Sequence, residues 1–233
     1  MFNVLIIDDE EEIVELIEVY LKNEGYKVYK AYNGKDGLEI IEKETIHLII
    51  LDIMMPDIDG IKVCMNIRKN YNTPIIMVSA KGQDIDKIQG LSTGADDYIV
   101  KPFNPMELVA RAKSQIRRYI YLNDNKNSAE ENSDEEVVEI NGLKLNQKRH
   151  NVFLMGNEIK LTPTEYDILL LLAVNRGKVY SAEDIYKAIW KEKYFEGNNT
   201  VMAHMWRLRE KIESNPKEPD IIKTVWGVGY KIE

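Results

Sequence analysis

The sequence predicts two dissimilar domains in one chain of 233 residues: an α/β domain on a five-stranded parallel sheet, doubly wound with helices on both faces, and a smaller α+β domain. Three observations predict this. Strand-like and helix-like patterns alternate five times over residues 1–121. The stretch "NDNKNSAEENSDEE", 123–136, holds no apolar residue beyond Ala129 and cannot bury enough surface to order itself. After it the pattern changes to short alternating strands, tight turns and capped helices. The expected boundaries are 1–121 for the first domain, 122–136 for an acidic flexible linker and 137–233 for the second domain.

In the first domain the expected strands are "NVLIID" (3–8), "KVYKAY" (27–32), "HLIILD" (47–52), "PIIMVS" (74–79) and "DYIV" (97–100). The middle ones are apolar on both faces, as buried parallel strands are. Helical periods lie between them, among them Ile13, Leu16, Ile17, Tyr20 and Leu21, and later Leu108, Ala112 and Ile116. "NPME" (104–107) opens the last helix, with Asn104 as cap, Pro105 in the first turn and Glu107 three residues after the cap.

In the second domain "VVEINGLKLNQKRHNVFLMGNEIKL" reads as a small antiparallel sheet with Asn-Gly and Gly-Asn turns. "TPTEYDILLLLAVN" opens a helix through the capping box Thr162/Glu165, with Pro163 at its first position. A second helix follows Ser181, a third runs from about Asn199 to Ser214, and "IIKTVWGVGYKIE" closes the chain as a hairpin. In the third helix Val201, Met205, Leu208 and Ile212 form one buried stripe, and His204, Arg207 and Lys211 are expected on the opposite side.

With 44% hydrophobic and 30% charged residues the chain has a globular composition, and no apolar run approaches the ~18 residues of a membrane span. The single Cys64 excludes an internal disulfide and fits a cytoplasmic protein, with Cys64 itself a packing residue on a helix. A net charge of -8 argues against nucleic-acid binding only while the chain is treated as one body. Residues 1–121 carry 15 basic and 20 acidic side chains, 122–136 carry 1 and 6, and 137–233 carry 15 and 13. The second domain is therefore slightly basic, and the acid lies elsewhere.

Where the acid lies is informative. Asp8 and Asp9 end the first strand, Asp52 the third, Ser79 the fourth, and Lys101 followed by Pro102 the fifth. A helix N-cap accounts for Asp9 alone and leaves Asp8 unexplained. A parallel sheet brings these ends to one edge, where ligands of such sheets bind. Three carboxylates, a hydroxyl and an ammonium suit a hard cation such as Mg²⁺ together with a phosphate oxygen. The chemistry that uses all five is phosphoryl transfer to Asp52, with the metal and Lys101 neutralising charge and Ser79 hydrogen-bonding the phosphoryl group.

"IIDDE", "LDIMMPDIDG", "MVSA" and "GADDYIVKPF" resemble the receiver domain of two-component response regulators over residues 1–121. The resemblance implies a sheet of order 2-1-3-4-5, with Asp52 as phosphoacceptor. It implies Mg²⁺ held by Asp8, Asp9, Asp52 and the backbone carbonyl of Met54, and Lys101 as the phosphate contact before a cis peptide bond to Pro102. Ser79 and Tyr98 would be the switch residues, Lys81 would tune the lifetime of the phosphate, and the phosphodonor would be a sensor histidine kinase. An aspartyl-phosphate hydrolase uses similar groups, but such enzymes want a second acid two residues after the nucleophile, where Met54 stands. A contact-only scaffold is the other alternative. The expectation is a phosphoacceptor protein, not an enzyme, whose phosphotransfer and autodephosphorylation act only on itself.

"LTPTEYDILLLL", "NTVMAHMWRLREKIE" and "IKTVWGVGYKIE" resemble the winged helix-turn-helix output domain of OmpR/PhoB-type regulators, and within these look most like the regulators of vancomycin-resistance operons. That implies double-stranded promoter DNA and RNA polymerase as partners, with Thr200, His204, Arg207 and Lys211 on the recognition helix and Lys223, Thr224, Trp226 and Tyr230 on the hairpin meeting DNA. Trp226 stands where many relatives carry an arginine; it faces the minor groove or packs inward. The resemblance also implies a phosphorylation-dependent homodimer. Its contact is expected on the face of the fourth and fifth receiver helices, the two that flank the last strand, through Lys87, Asp96, Asp97, Glu107, Arg111 and Arg118.

Overall fold

Five parallel strands, β1 (Asn3–Ile7), β2 (Lys27–Ala31), β3 (Leu48–Asp52), β4 (Ile75–Ala80) and β5 (Asp97–Lys101), form one sheet in the order β2-β1-β3-β4-β5. The computed structural model describes residues 1–56, 58–80, 94–123, 137–147, 150–191 and 200–233. The chain divides into two units, Met1–Ile120 and Tyr121–Glu233. Successive side chains of a strand point to opposite faces. Val4 and Ile6 accordingly pack with α1 (Glu11–Asn23) and α4 (Pro105–Asn123), while Leu5 and Ile7 pack with α2 (Gly34–Lys43) and α3 (Gly60–Asn70). Leu108, Ala112 and Ile116 are buried as their spacing predicts, and Cys64 is buried on α3. Along α1 the buried stripe is Val14, Ile17 and Leu21, and Leu16 is exposed. Asn104 caps α4 by accepting the Met106 N–H at 2.9 Å.

The second unit begins with an antiparallel sheet of β6 (Val137–Ile140), β7 (Leu143–Asn146), β8 (Asn151–Leu154) and β9 (Asn157–Glu158). Its hairpins turn on Asn141-Gly142 and Met155-Gly156, all four with positive φ, so the second turn is Met-Gly and Asn157 already belongs to β9. α5 (Pro163–Val174) starts in the expected capping box of Thr162 and Glu165, and α6 (Ala182–Trp190) in a box of Ser181 and Asp184. α7 (Thr200–Ile212) packs Val201, Met205, Leu208 and Ile212 against Leu169, Leu172, Ile185 and Tyr186 in one core. β10 (Ile222–Val225) and β11 (Gly229–Ile232) close the chain as a hairpin. Gly229 lets it approach, since a Cβ there would fall 2.0 Å from the Tyr180 carbonyl oxygen. The expected linker lies outside the described residues from 124 to 136. Among the described residues no helix is long and apolar enough to cross a membrane.

Candidate functional site

The carboxyl ends of the strands meet as the sheet order requires. Asp8 and Asp9 follow β1, Asp52 closes β3, and Ser79 and Lys101 lie in adjacent registers at the ends of β4 and β5. Carboxylate oxygens of Asp8, Asp9 and Asp52 all lie within 4.8 Å of one another. Lys101 Nζ stands 2.8 Å from Asp8 Oδ2, 2.9 Å from Asp52 Oδ1 and 2.7 Å from Glu10 Oε1. Asp8 also accepts the Glu10 N–H at 2.9 Å, which directs the chain into α1. Glu10, not Asp9, is the N-cap residue, so helix capping explains neither aspartate.

Burial sets the electrostatics of the cluster. It pushes the Asp52 carboxyl up to about 6, with the neighbouring Asp8 adding to the rise and Lys101 and the Met54 N–H opposing it. Asp8 is raised for the same first reason, against the pull of Lys101. Burial draws Lys101 down, but hydrogen bonds to Asp8, Glu10 and Asp52 more than offset this and hold its ammonium charged. One ammonium thus serves several carboxylates, and the donors are all oxygens. Such a set could hold a hard metal ion, which would relieve the remaining negative charge. Ser79 and Tyr98 are both buried, and the Lys101–Pro102 bond is cis. Met54 exposes its side chain. Lys81 lies outside the described residues.

Sequence reasoning missed Gly60. A Cβ there would sit 2.0 Å from the Asp52 carbonyl oxygen and 2.9 Å from the Asp52 carbonyl carbon and the Ile53 Cα, while the Gly60 N–H donates to Ile53 O at 3.0 Å. The first residue of α3 is thereby packed against the backbone that carries Asp52, and no side chain can rotate away to make room. Gly60→Ala should therefore cost about 3 kcal/mol, the upper range for overpacking. Urea denaturation of the full chain checks this; a loss below about 1 kcal/mol would mean that the loop after β3 yields freely.

The expected dimer face needs correction at Asp96. This side chain is buried and pairs inside the unit with Arg68, Nη2 to Oδ2 at 2.7 Å, so it is no surface charge. Its Oδ2 also accepts the Ile75 N–H at 3.0 Å. Asp97 is mostly buried and pairs with Arg111 at 2.9 Å, and Arg111 also meets Glu107 one turn back at 2.8 Å. Arg118 is half-buried, and Lys87 lies outside the described residues.

In the second unit three expected DNA contacts, Thr200, His204 and Lys211, are buried or held within the unit. His204 is buried with its ring 5.5 Å from that of Trp190, because it lies three residues after Val201 and four before Leu208, within the buried stripe. Lys211 Nζ reaches Glu165 Oε2 at 2.6 Å, the acid that also accepts the Thr162 N–H. Thr200 is buried and Arg207 half-buried on the flank of α7. The outward face of α7 instead carries Met202 and Trp206. Trp226 is 90% exposed at the hairpin tip before Gly227, which overturns inward packing. Thr224 is exposed and accepts from Arg209 at 2.8 Å; Lys223 pairs with Asp220 at 3.1 Å; Tyr230 is half-buried. Arg209 was not anticipated. It bonds Ile222 O at 2.6 Å and lies over the Tyr230 ring, and so fastens α7 to the hairpin.

A parallel α/β unit with an acidic cluster at its carboxyl edge, followed by a helix-and-hairpin unit, defines a signal-receiving domain coupled to an output domain. Comparison with known proteins gives the same division. The profile of the response regulator receiver domain matches residues 4–113, and that of the transcriptional regulatory protein C-terminal domain matches 156–232. The chain is 50% identical to the regulatory protein VanRc of Enterococcus gallinarum over 99% of this chain and 98% of that one. It is 48% identical to the regulatory protein VanR of Enterococcus faecium, over 99% and 98%. The crystal structure of DrrB, an OmpR/PhoB homologue from Thermotoga maritima, aligns over 100% of this chain and 99% of its own with a TM-score of 0.50 and 32% identity. The chain belongs to the two-component response regulators of the OmpR/PhoB type. It is a transcriptional regulator with a receiver and a DNA-binding domain.

Proposed function

We propose that a sensor histidine kinase transfers a phosphoryl group to Asp52 in a Mg²⁺-dependent step, and that the phosphorylated protein dimerises in the cytoplasm, binds repeats in promoter DNA and adjusts transcription by RNA polymerase. The supporting observation is the joint approach of Asp8, Asp9 and Lys101 to the Asp52 carboxylate. Asp8, Asp9, Asp52 and the Met54 carbonyl would hold the cation, which supplies charge neutralisation for the phosphoryl oxygens. An Asp52 oxygen forms the new bond to phosphorus as the bond to the kinase's histidine nitrogen breaks; the electron pair leaves with the imidazole. Lys101 gives up one of its carboxylate partners to meet the phosphoryl group, and Ser79 donates to it. Tyr98 and the expected contact residues Lys87, Asp97, Glu107, Arg111 and Arg118 would carry the change to a second copy. Exposed ion pairs contribute only ~0–1 kcal/mol each, so the phosphate acts by favouring a conformer.

The test is incubation of the full chain with acetyl phosphate, followed by intact-protein mass measurement. One phosphoryl group is expected on the native chain with Mg²⁺, none with chelator and none on Asp52→Asn. Labelling of the Asn variant would remove Asp52 as acceptor. The lifetime of the label is a separate prediction. Met54, two residues past Asp52, is apolar and cannot orient an attacking water, so Met54→Asn should hasten loss of the label several-fold in a time course. An unchanged rate would mean that water positioning at this site does not limit hydrolysis.

For the second domain we propose that α7 enters the major groove and the β10–β11 hairpin approaches the minor groove. Trp226 has no charge to offer a narrow groove, and we assign the phosphate contacts to Arg207 and Lys223, the latter exchanging Asp220 for a phosphate oxygen. Each neutralised phosphate contributes about 0.9 to the salt slope, so the dependence of affinity on salt should be shallow.

A further inference from the structure

We propose that this regulator reads thymine in the major groove through its methyl group, with Met202 and Trp206 as the specificity-determining side chains. The inference rests on α7 being the helix that enters the groove. With Val201, His204, Met205, Leu208 and Ile212 buried, the arc of α7 turned to solvent is centred on Ala203, Trp206 and Glu210, with Met202 beside them. Met202 is 55% exposed and Trp206 45% exposed; four residues apart, they lie side by side on the helix surface. The one donor of the indole is already committed, since Trp206 Nε1 donates to Glu210 Oε1 at 3.0 Å. Trp206 therefore presents carbon to whatever covers it, as Met202 does.

Among the groups that base pairs display in the major groove, the C5-methyl of thymine is the apolar one. A helix face built of a thioether and an engaged indole has no bidentate donor for guanine and no amide for adenine, so its gain from DNA comes from covering methyls. Glu210 adds direction. Its carboxylate is repelled by phosphates, which favours the groove floor over the backbone for this part of the helix, and its acceptors match the amino group of cytosine.

Removing the methyl alone tests this. The full-length native chain, phosphorylated with acetyl phosphate and Mg²⁺, is used to select tight-binding duplexes from a random pool, and the selected duplex is remade with deoxyuridine at each thymine in turn. At two positions of each half-site the loss of the methyl should weaken binding about fourfold, the value of one buried carbon, and elsewhere it should do nothing. Trp206→Ala and Met202→Ala should each erase the thymine-over-uracil preference at one of those positions and keep it at the other. Native binding indifferent to deoxyuridine at every position would overturn the inference while leaving DNA binding intact, as would variants that keep both preferences. A pool that yields no bound duplex would overturn the reading of α7 itself, and this inference with it.

Discussion

Arg68→Met should destabilise the receiver domain by about 3–5 kcal/mol, the cost of leaving one partner of a buried ion pair alone. The Arg68 guanidinium, 8% exposed, donates to Gly94 O at 2.7 Å, to Thr73 O at 2.6 Å and to Asp96 Oδ2 at 2.7 Å. One side chain thus ties the end of α3 to the segment entering β4 and to the turn entering β5. Methionine fills much of the volume but leaves a buried carboxylate and two carbonyls without these donors. Urea denaturation of the full chain, followed by a probe in the first domain, should show the midpoint falling sharply. Adding Asp96→Asn should recover part of the loss, because the uncompensated charge is then gone. A loss below about 1 kcal/mol for Arg68→Met, or no recovery in the double variant, would show that the pair is not what holds these segments.

The same pair shows where sequence reading stops. Asp96 and Asp97 are adjacent acids where a strand begins, which locally resembles charged surface. The burial of Asp96 is decided by Arg68, 28 residues away, and nothing in the local pattern encodes that. Lys211 is similar, since its partner Glu165 lies 46 residues back. Gly60 belongs with them, because its role depends on how closely α3 meets the end of β3. His204 is different. Its phase, three after Val201 and four before Leu208, already placed it in the buried stripe, and only its polarity argued otherwise. The legible features were those written in short-range grammar. Strand ends carrying Asp8, Asp52, Ser79 and Lys101 follow from apolar runs of fixed length, and the cap at Thr162 from residue types at fixed spacing. The sheet order that gathers the strand ends came from the family resemblance.

Asp52→Asn should raise the stability of the metal-free protein at neutral pH while abolishing phosphorylation. Burial and the charge of Asp8 lift the Asp52 carboxyl from 3.8 to about 6 in the folded chain. The folded state therefore holds its proton more tightly than the unfolded one. Below pH 3.8 both states are protonated and the group contributes nothing. As pH rises from there through about 6, the unfolded chain ionises first and gains, so folding is penalised, and above about 6 the penalty is fully present. At about 1.4 kcal/mol per pKa unit, the Asn variant should gain about 1–3 kcal/mol at pH 8. Asn keeps the shape and an acceptor for Lys101, so little packing is lost. Melting temperatures in chelator should then differ in favour of Asp52→Asn at pH 8, with the gap closing toward pH 4. Mg²⁺ should narrow the gap at pH 8, because binding to the native carboxylates stabilises the native chain by mass action and the variant has one ligand charge fewer. An Asn variant less stable than the native chain at pH 8 without metal would show that the ion pair with Lys101 outweighs burial, and that Asp52 rests at no cost to the fold.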